Sequence, residues 1–131
     1  MYNVLIKDFA TISFNPKRNI LTIKFLDKKA KQDKFHKLTE IVNQLVSEKS
    51  FILILDFSIN SVMLSDFRTL FLERLQNINI ISLIIISKNK FQKTLYNILK
   101  PFTVLNSTIN YQFVQSLDEA IKVTNELKIS Q

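Results

Sequence analysis

Phe51-Ile52-Leu53-Ile54-Leu55-Asp56-Phe57, running on into Ser58-Ile59-Asn60-Ser61-Val62-Met63-Leu64-Ser65-Asp66, is the stretch on which the fold turns. Residues 51–55 are apolar without a break, the pattern of a strand covered on both faces, as in a parallel sheet flanked by helices. This is the expected central strand. Asp56 ends the apolar run, and Ser58, Asn60 and Ser61 follow, so polar groups collect where the strand's carboxyl end meets the next element. In open parallel sheets ligands and partners usually sit at that edge.

Ser65 suits the N-cap of a helix, because its hydroxyl can accept from backbone N–H groups of the first turn. Asp66 then lies near the positive end of the helix dipole. Phe67, Leu70, Phe71 and Leu75 share one face, and Arg68, Glu73 and Arg74 are left for solvent. Leu72 falls off that stripe. With Ile59, Val62 and Met63 it either closes the top of the core or forms an apolar patch for a partner.

Toward the carboxyl terminus, residues 80–86 (IISLIII) read as a second strand of the buried type. Asn89 can cap a helix whose inner face carries Phe91, Leu95, Ile98 and Leu99 and which Pro101 ends. Lys88 and Lys90 flank its start, where the dipole disfavours cations. Either both ammonium groups point into water, or they and the helix N-terminus hold an anion together. Polar connecting chain over residues 106–110 leads into a short strand with Tyr111, Phe113 and Gln115 on one face. Ser116-Leu117-Asp118-Glu119 is a capping box, and Leu117, Ala120, Ile121, Thr124 and Leu127 are expected on the inner face of the last helix.

Toward the amino terminus, Phe35, Leu38, Ile41, Val42, Leu45 and Val46 recur at spacings of three and four, the stripe of an amphipathic helix. Lys34, Lys37, Glu40, Asn43, Gln44 and Ser47 take the other face, and His36 falls with them as a solvated histidine. Residues 10–26 read as a hairpin: Ile12 and Phe14 alternate with Thr11 and Ser13, and Leu21, Ile23 and Phe25 alternate with Thr22 and Lys24. Asn15-Pro16-Lys17-Arg18-Asn19 supplies the turn. A short strand over residues 4–6 is expected before it. The order of elements predicts one α/β domain, with a mainly parallel sheet of about five strands, an N-terminal antiparallel hairpin and four helices.

Composition narrows the chemistry. At 131 residues the chain can bury roughly two-thirds of the surface it exposes unfolded, and needs no staple. With Cys at 0 and His at 1, disulfides, thiolate metal sites, cysteine nucleophiles and histidine clusters are excluded. With Gly at 0, no glycine-rich phosphate loop can be written. No cofactor or metal is expected. The net charge of +7 admits a nucleic-acid, anionic-membrane or acidic-protein partner, but a chain rich in Lys, Asn and Ile with three Arg (Arg18, Arg68, Arg74) also reflects AT-rich coding. Its amino terminus lacks a basic segment followed by a long apolar core, and no run reaches the roughly 20 apolar residues of a membrane span, so a cytoplasmic protein is expected.

The order of elements, with a hairpin in front and a strand ending in Asp56 before a serine-bearing helix start, resembles the STAS domain of anti-sigma-factor antagonists. The likeness is nearest to small stand-alone bacterial STAS-like proteins, which carry an aromatic-x-Phe strand and then Ser-Leu-x-Glu-Ala, here Tyr111-Gln112-Phe113 and Ser116-Leu117-Asp118-Glu119-Ala120. In that family the serine opening the helix after the central strand is a phosphorylation switch. Ser65 falls at about that position, with Leu64 where the family carries Asp and Phe67 where it carries Gly. The resemblance implies a regulatory, non-catalytic protein.

Two functions follow as expectations. The first is a non-enzymatic regulatory or protein-interaction module docking through the helix that starts at Ser65, with Asp56, Ser58, Ser61, Ser65, Asp66 and Leu72 at the interface, and with Lys88, Asn89 and Lys90 as candidate anion ligands. Asp56 and Asp66 are the only carboxylates near that edge, with no histidine to complete an acid/base set. The partner is a protein of unknown identity, and a homodimer is a possible assembly. The second is a small lipid or amphiphile carrier, with residues 102–105, Met63 and Leu72 lining a pocket beside Lys88 and Lys90. Nucleic acid is not expected: Lys28, Lys29, Lys31, Lys34 and Lys37 form a basic run, but the interleaved Phe35 lies on the buried stripe and offers no stacking platform.

Overall fold

The computed structural model of the chain describes residues 2–26, 32–46, 49–58, 80–87 and 110–129. Residues of alternating polarity near the amino terminus build an antiparallel meander of β1 (Tyr2–Ile6), β2 (Ala10–Asn15) and β3 (Ile20–Phe25). The register sets Ala10, Ile12 and Phe14 opposite Phe25, Ile23 and Leu21, and all six are buried. The β2–β3 turn uses the expected asparagines: Asn15 Oδ1 accepts from the backbone N–H groups of Lys17 and Arg18 at 3.1 and 3.4 Å, and Asn19 sits at φ 53°. Asn tolerates that left-handed region better than most residues.

β1 is longer than the expected strand over residues 4–6, because it pairs with β2 along its whole length, from Tyr2↔Phe14 to Ile6↔Ala10. The link is a three-residue loop with Asp8 at φ 58° and the Phe9 N–H on the Ile6 carbonyl at 3.0 Å. A loop of three residues with its left-handed position filled by Asp rather than Gly is a weak signal in sequence. The antiparallel part is therefore three strands rather than a hairpin.

Helix α1 (Gln32–Val46) follows β3, and β4 (Phe51–Asp56), β5 (Ile80–Ile86) and β6 (Asn110–Val114) add in parallel. The six strands lie in the order β1-β2-β3-β4-β5-β6, one more than expected, in a mixed sheet. Helix α2 (Leu117–Ile129) ends the described chain. α1 and α2 are the helices among the described residues; the helices expected from Ser65 and Asn89 fall outside them.

Each face of the sheet has its own core. On the first, α1 seats Phe35, Leu38, Val42 and Val46 against Ile12, Leu21, Ile23, Leu53, Leu55 and Leu83, as its periodicity predicts, with Ile41 and Leu45 half-buried at the margin. Phe9, Phe25, Phe35 and Phe57 gather at one end: Phe9 meets Phe35 edge-on at 4.9 Å, and Phe25 stacks on Phe57 at 5.1 Å and 11°. A bulge between β4 and β5, where the register passes from Phe51↔Ile80 to Ile52↔Ser82, returns Ile80 to the same face as Leu83 and Ile85. On the second face α2 covers Ile52, Ile54, Ile84, Ile86 and Val114 through Ala120 and Val123.

The start of α2 follows the capping-box reading closely. Ser116 Oγ accepts from the Glu119 N–H at 3.2 Å, and Glu119 Oε2 accepts from the Gln115 N–H at 3.1 Å, one residue earlier than the usual reciprocal partner. The inner face of α2 departs from expectation. Ala120 and Thr124 are buried, but Leu117 and Ile121 are 46% and 43% exposed. The seam on the sheet runs through 120, 123 and 124, so residues 117 and 121 stand about 60° and 100° around the helix from Ala120, on its flank.

Candidate functional site

The carboxyl edge of the parallel strands is built as a stitched margin. Phe57 N–H donates to the Ile86 carbonyl at 2.9 Å, and Ser87 N–H to the Val114 carbonyl at 3.0 Å, so both ladders continue one residue beyond their strands. The stack of Phe57 on Phe25 fixes the same margin from the first face. Asp56 is buried, and its Oδ1 accepts from the Ser58 N–H at 2.8 Å, a bond to the backbone two residues on that turns the chain out of the strand. Lys24 is its register partner on β3. Ser87 is buried at the end of β5, and among the described residues its Oγ finds no hydrogen-bond partner, an uncommon state for a buried hydroxyl.

Of the residues chosen from sequence, the structure brings Asp56 and Ser58 together at this margin. Ser61, Ser65, Asp66, Leu72, Lys88, Asn89 and Lys90 lie outside the described residues, as do Met63 and residues 102–105 of the expected carrier pocket and Lys28, Lys29 and Lys31 of the basic run. His36 is on the outer face of α1, exposed, with Nε2 3.1 Å from Glu40 Oε1 one turn on. Among the described residues no three His, Cys, Asp or Glu side chains converge as metal ligands, and no helix is long and apolar enough to cross a membrane.

A second place was not legible in the sequence. A cleft of about 310 Å³ opens on the second face, between α2 and the border of the meander with β4. Ile20, Thr22 and Ile54, with Ser13 and Asn15 beyond them, form its floor, while Leu117, Ile121 and Thr124 form the α2 wall. Arg18 closes one end, and its Nη2 donates to the Asn125 amide oxygen. Thr124 spends its hydroxyl hydrogen on the Ile121 carbonyl at 2.7 Å, and Ser13 spends its own on Asn3 Oδ1 at 2.7 Å. Apolar residues at 117 and 121 were available as a signal, but the same spacing describes a buried stripe.

The architecture is thus α/β with a six-stranded mixed sheet; no family model, curated protein or solved structure matches the chain significantly.

Proposed function

We propose that this chain is a non-enzymatic regulatory or protein-interaction module of STAS-like type, which docks another protein at the carboxyl edge of its parallel strands. The observation that supports it is the side-by-side ending of β4 and β5, with Asp56 in register with Ile86. The described chain leaves the sheet at Ser58 and again at Ser87, from neighbouring positions on one margin. Ser61, Ser65, Asp66 and Leu72 follow the first exit in sequence, and Lys88, Asn89 and Lys90 follow the second. The aromatic stack, the two continued ladders and the Asp56 turn give such a surface a rigid base, which docking favours. Phosphorylation of Ser65 belongs to the same proposal: about two negative charges at an interface would change its affinity for a charged partner.

Native mass spectrometry of the protein purified gently from its own cells is the test. A second protein held at fixed stoichiometry is expected, and Ser65→Asp combined with Leu72→Arg should release it while the thermal midpoint stays within a few degrees. Retention of that protein by the double variant overturns docking through the Ser65 segment.

One observation favours a second reading, carriage of a small amphiphile. The cleft under α2 combines apolar walls with an arginine at one end, the two chemistries that an amphiphile presents.

A further inference from the structure

We infer that the α2 cleft binds a medium-chain aliphatic carboxylate, with its carboxylate on Arg18 and its chain along Leu117 and Ile121; this rests on the carrier reading. The volume, about 310 Å³, lies at the small end of the roughly 300–1,000 Å³ usual for ligand pockets. Its α2 wall runs from Leu117 through Ile121 to Thr124. α2 runs back along the sheet from the end of β6, so Leu117 stands at the carboxyl edge and Asn125 at the opposite end, beside the β2–β3 turn. Eight residues of helix separate the two, about 12 Å at 1.5 Å per residue.

The two ends differ in chemistry. Leu117, Ile121, Ile20 and Ile54 line the length, and Leu117 and Ile121 are two of the four large hydrophobic side chains exposed among the described residues. An occupant that covers them removes apolar surface from water, the main source of affinity for an aliphatic chain. At the far end Arg18 is, among the described residues, the one charged residue lining the cleft, and no carboxylate of those residues lines it. A guanidinium has five N–H donors. The donor given to Asn125 meets a neutral amide, which aims the group without cancelling its charge. The remaining donors form the planar fork that matches a carboxylate in two parallel hydrogen bonds. Thr22 and the Asn15 side-chain amide add neutral donors at the floor, while Asn15 Oδ1 is committed to its own turn.

The specificity this predicts is for charge and chain together. Acetate has no chain to cover the flank of α2, and an aliphatic alcohol offers Arg18 no charge.

The experiment is isothermal titration of the full chain with decanoate, decanol and acetate, each below its aggregation limit, followed by amide chemical-shift mapping. Decanoate is expected to bind at least tenfold more tightly than decanol, with acetate undetectable and shifts concentrated at Thr22, Ile54 and Ile121. Arg18→Gln should weaken decanoate at least tenfold and leave decanol unchanged, whereas Arg18→Lys should retain most of the affinity. Ile121→Trp, which fills the cleft from an exposed position, should abolish binding of both. Equal binding of decanol and decanoate would overturn carboxylate recognition while leaving the carrier reading in place. Absence of binding by either, or shifts confined to other surfaces, would overturn both.

Discussion

The rotation of α2 about its axis decides whether the second face has a closed core or a cleft, and two neighbouring substitutions measure it. Ala120 is 0% exposed and sits among Ile52, Ile54, Ile84, Ile86 and Val114. Ala120→Leu adds three carbon atoms where the helix rests on the sheet, and overpacking of that kind costs about 1–3 kcal/mol. Ile121 is 43% exposed. Burying an isoleucine fully gives about 1.5–3 kcal/mol; somewhat over half of that is realised here, Gln keeps an aliphatic stem at Cβ and Cγ, and it has the better helix propensity. Ile121→Gln should therefore cost about 1 kcal/mol or less. Urea unfolding followed by circular dichroism at 25 °C resolves the difference, provided the slope of the transition is unchanged. A larger loss for Ile121→Gln than for Ala120→Leu would mean that Ile121 faces the sheet, as the periodicity alone suggests, and the cleft would vanish with the reasoning that places it.

Three further outcomes follow. Ser116→Ala should lower stability by about 1 kcal/mol, the usual loss of an N-cap, because the Glu119 N–H loses its acceptor; a urea midpoint unchanged from the parent would deny the cap. Phe35→Ala removes a ring packed against Phe9 and Phe25 and should cost about 3–5 kcal/mol, so a cost below about 1 kcal/mol would place Phe35 outside the core. Asp56→Asn keeps an oxygen for the Ser58 N–H and should be close to neutral, whereas Asp56→Ala should cost about 1 kcal/mol; equal losses in the two would assign Asp56 a role in charge rather than in the turn.

Where a residue's environment is set by its immediate neighbours in the chain, the sequence reveals it. The unbroken apolar run at 51–55, and the run at 80–86 interrupted only by Ser82, announce strands buried on both faces, and β4 and β5 are those strands. The α1 stripe, the asparagine turn and the Ser116 cap are likewise local, and all three stand in the structure. What periodicity cannot give is how far an element extends across its neighbours. β1 gained Tyr2 and Asn3 because β2 was there to pair with them, and Phe9 is buried because it folds back from a loop onto Phe25 and Phe35. The site divides the same way. Asp56 and Ser58 adjoin the central strand and their hydrogen bond is local, whereas Arg18 is 107 residues from Asn125 and no local pattern joins them.

The cleft follows from a mismatch of widths. A helix with its side chains is about 10–12 Å across, and strands lie about 4.8 Å apart, so one helix covers two to three strands. α2 packs on β4, β5 and β6, which leaves the second face of the meander beyond its reach. The sequence matches that exposure: Thr11, Ser13 and Asn15 on β2 and Thr22 and Lys24 on β3 point to this face, and polar side chains there need no cover. The border is where the two regimes meet. Ile20 and Ile54 belong to the covered core and Leu117 and Ile121 to the helix edge, and among the described residues no element closes the angle between them. A polar residue at 117 or 121 would have ended the apolar surface at the helix edge. Instead both positions are apolar, and the β2–β3 turn places a guanidinium at the far end of the same cleft, held by Asn125. Widths alone explain why a gap exists at this border; they do not require it to be lined with aliphatic side chains and ended by a cation, and that combination is what the binding proposal accounts for.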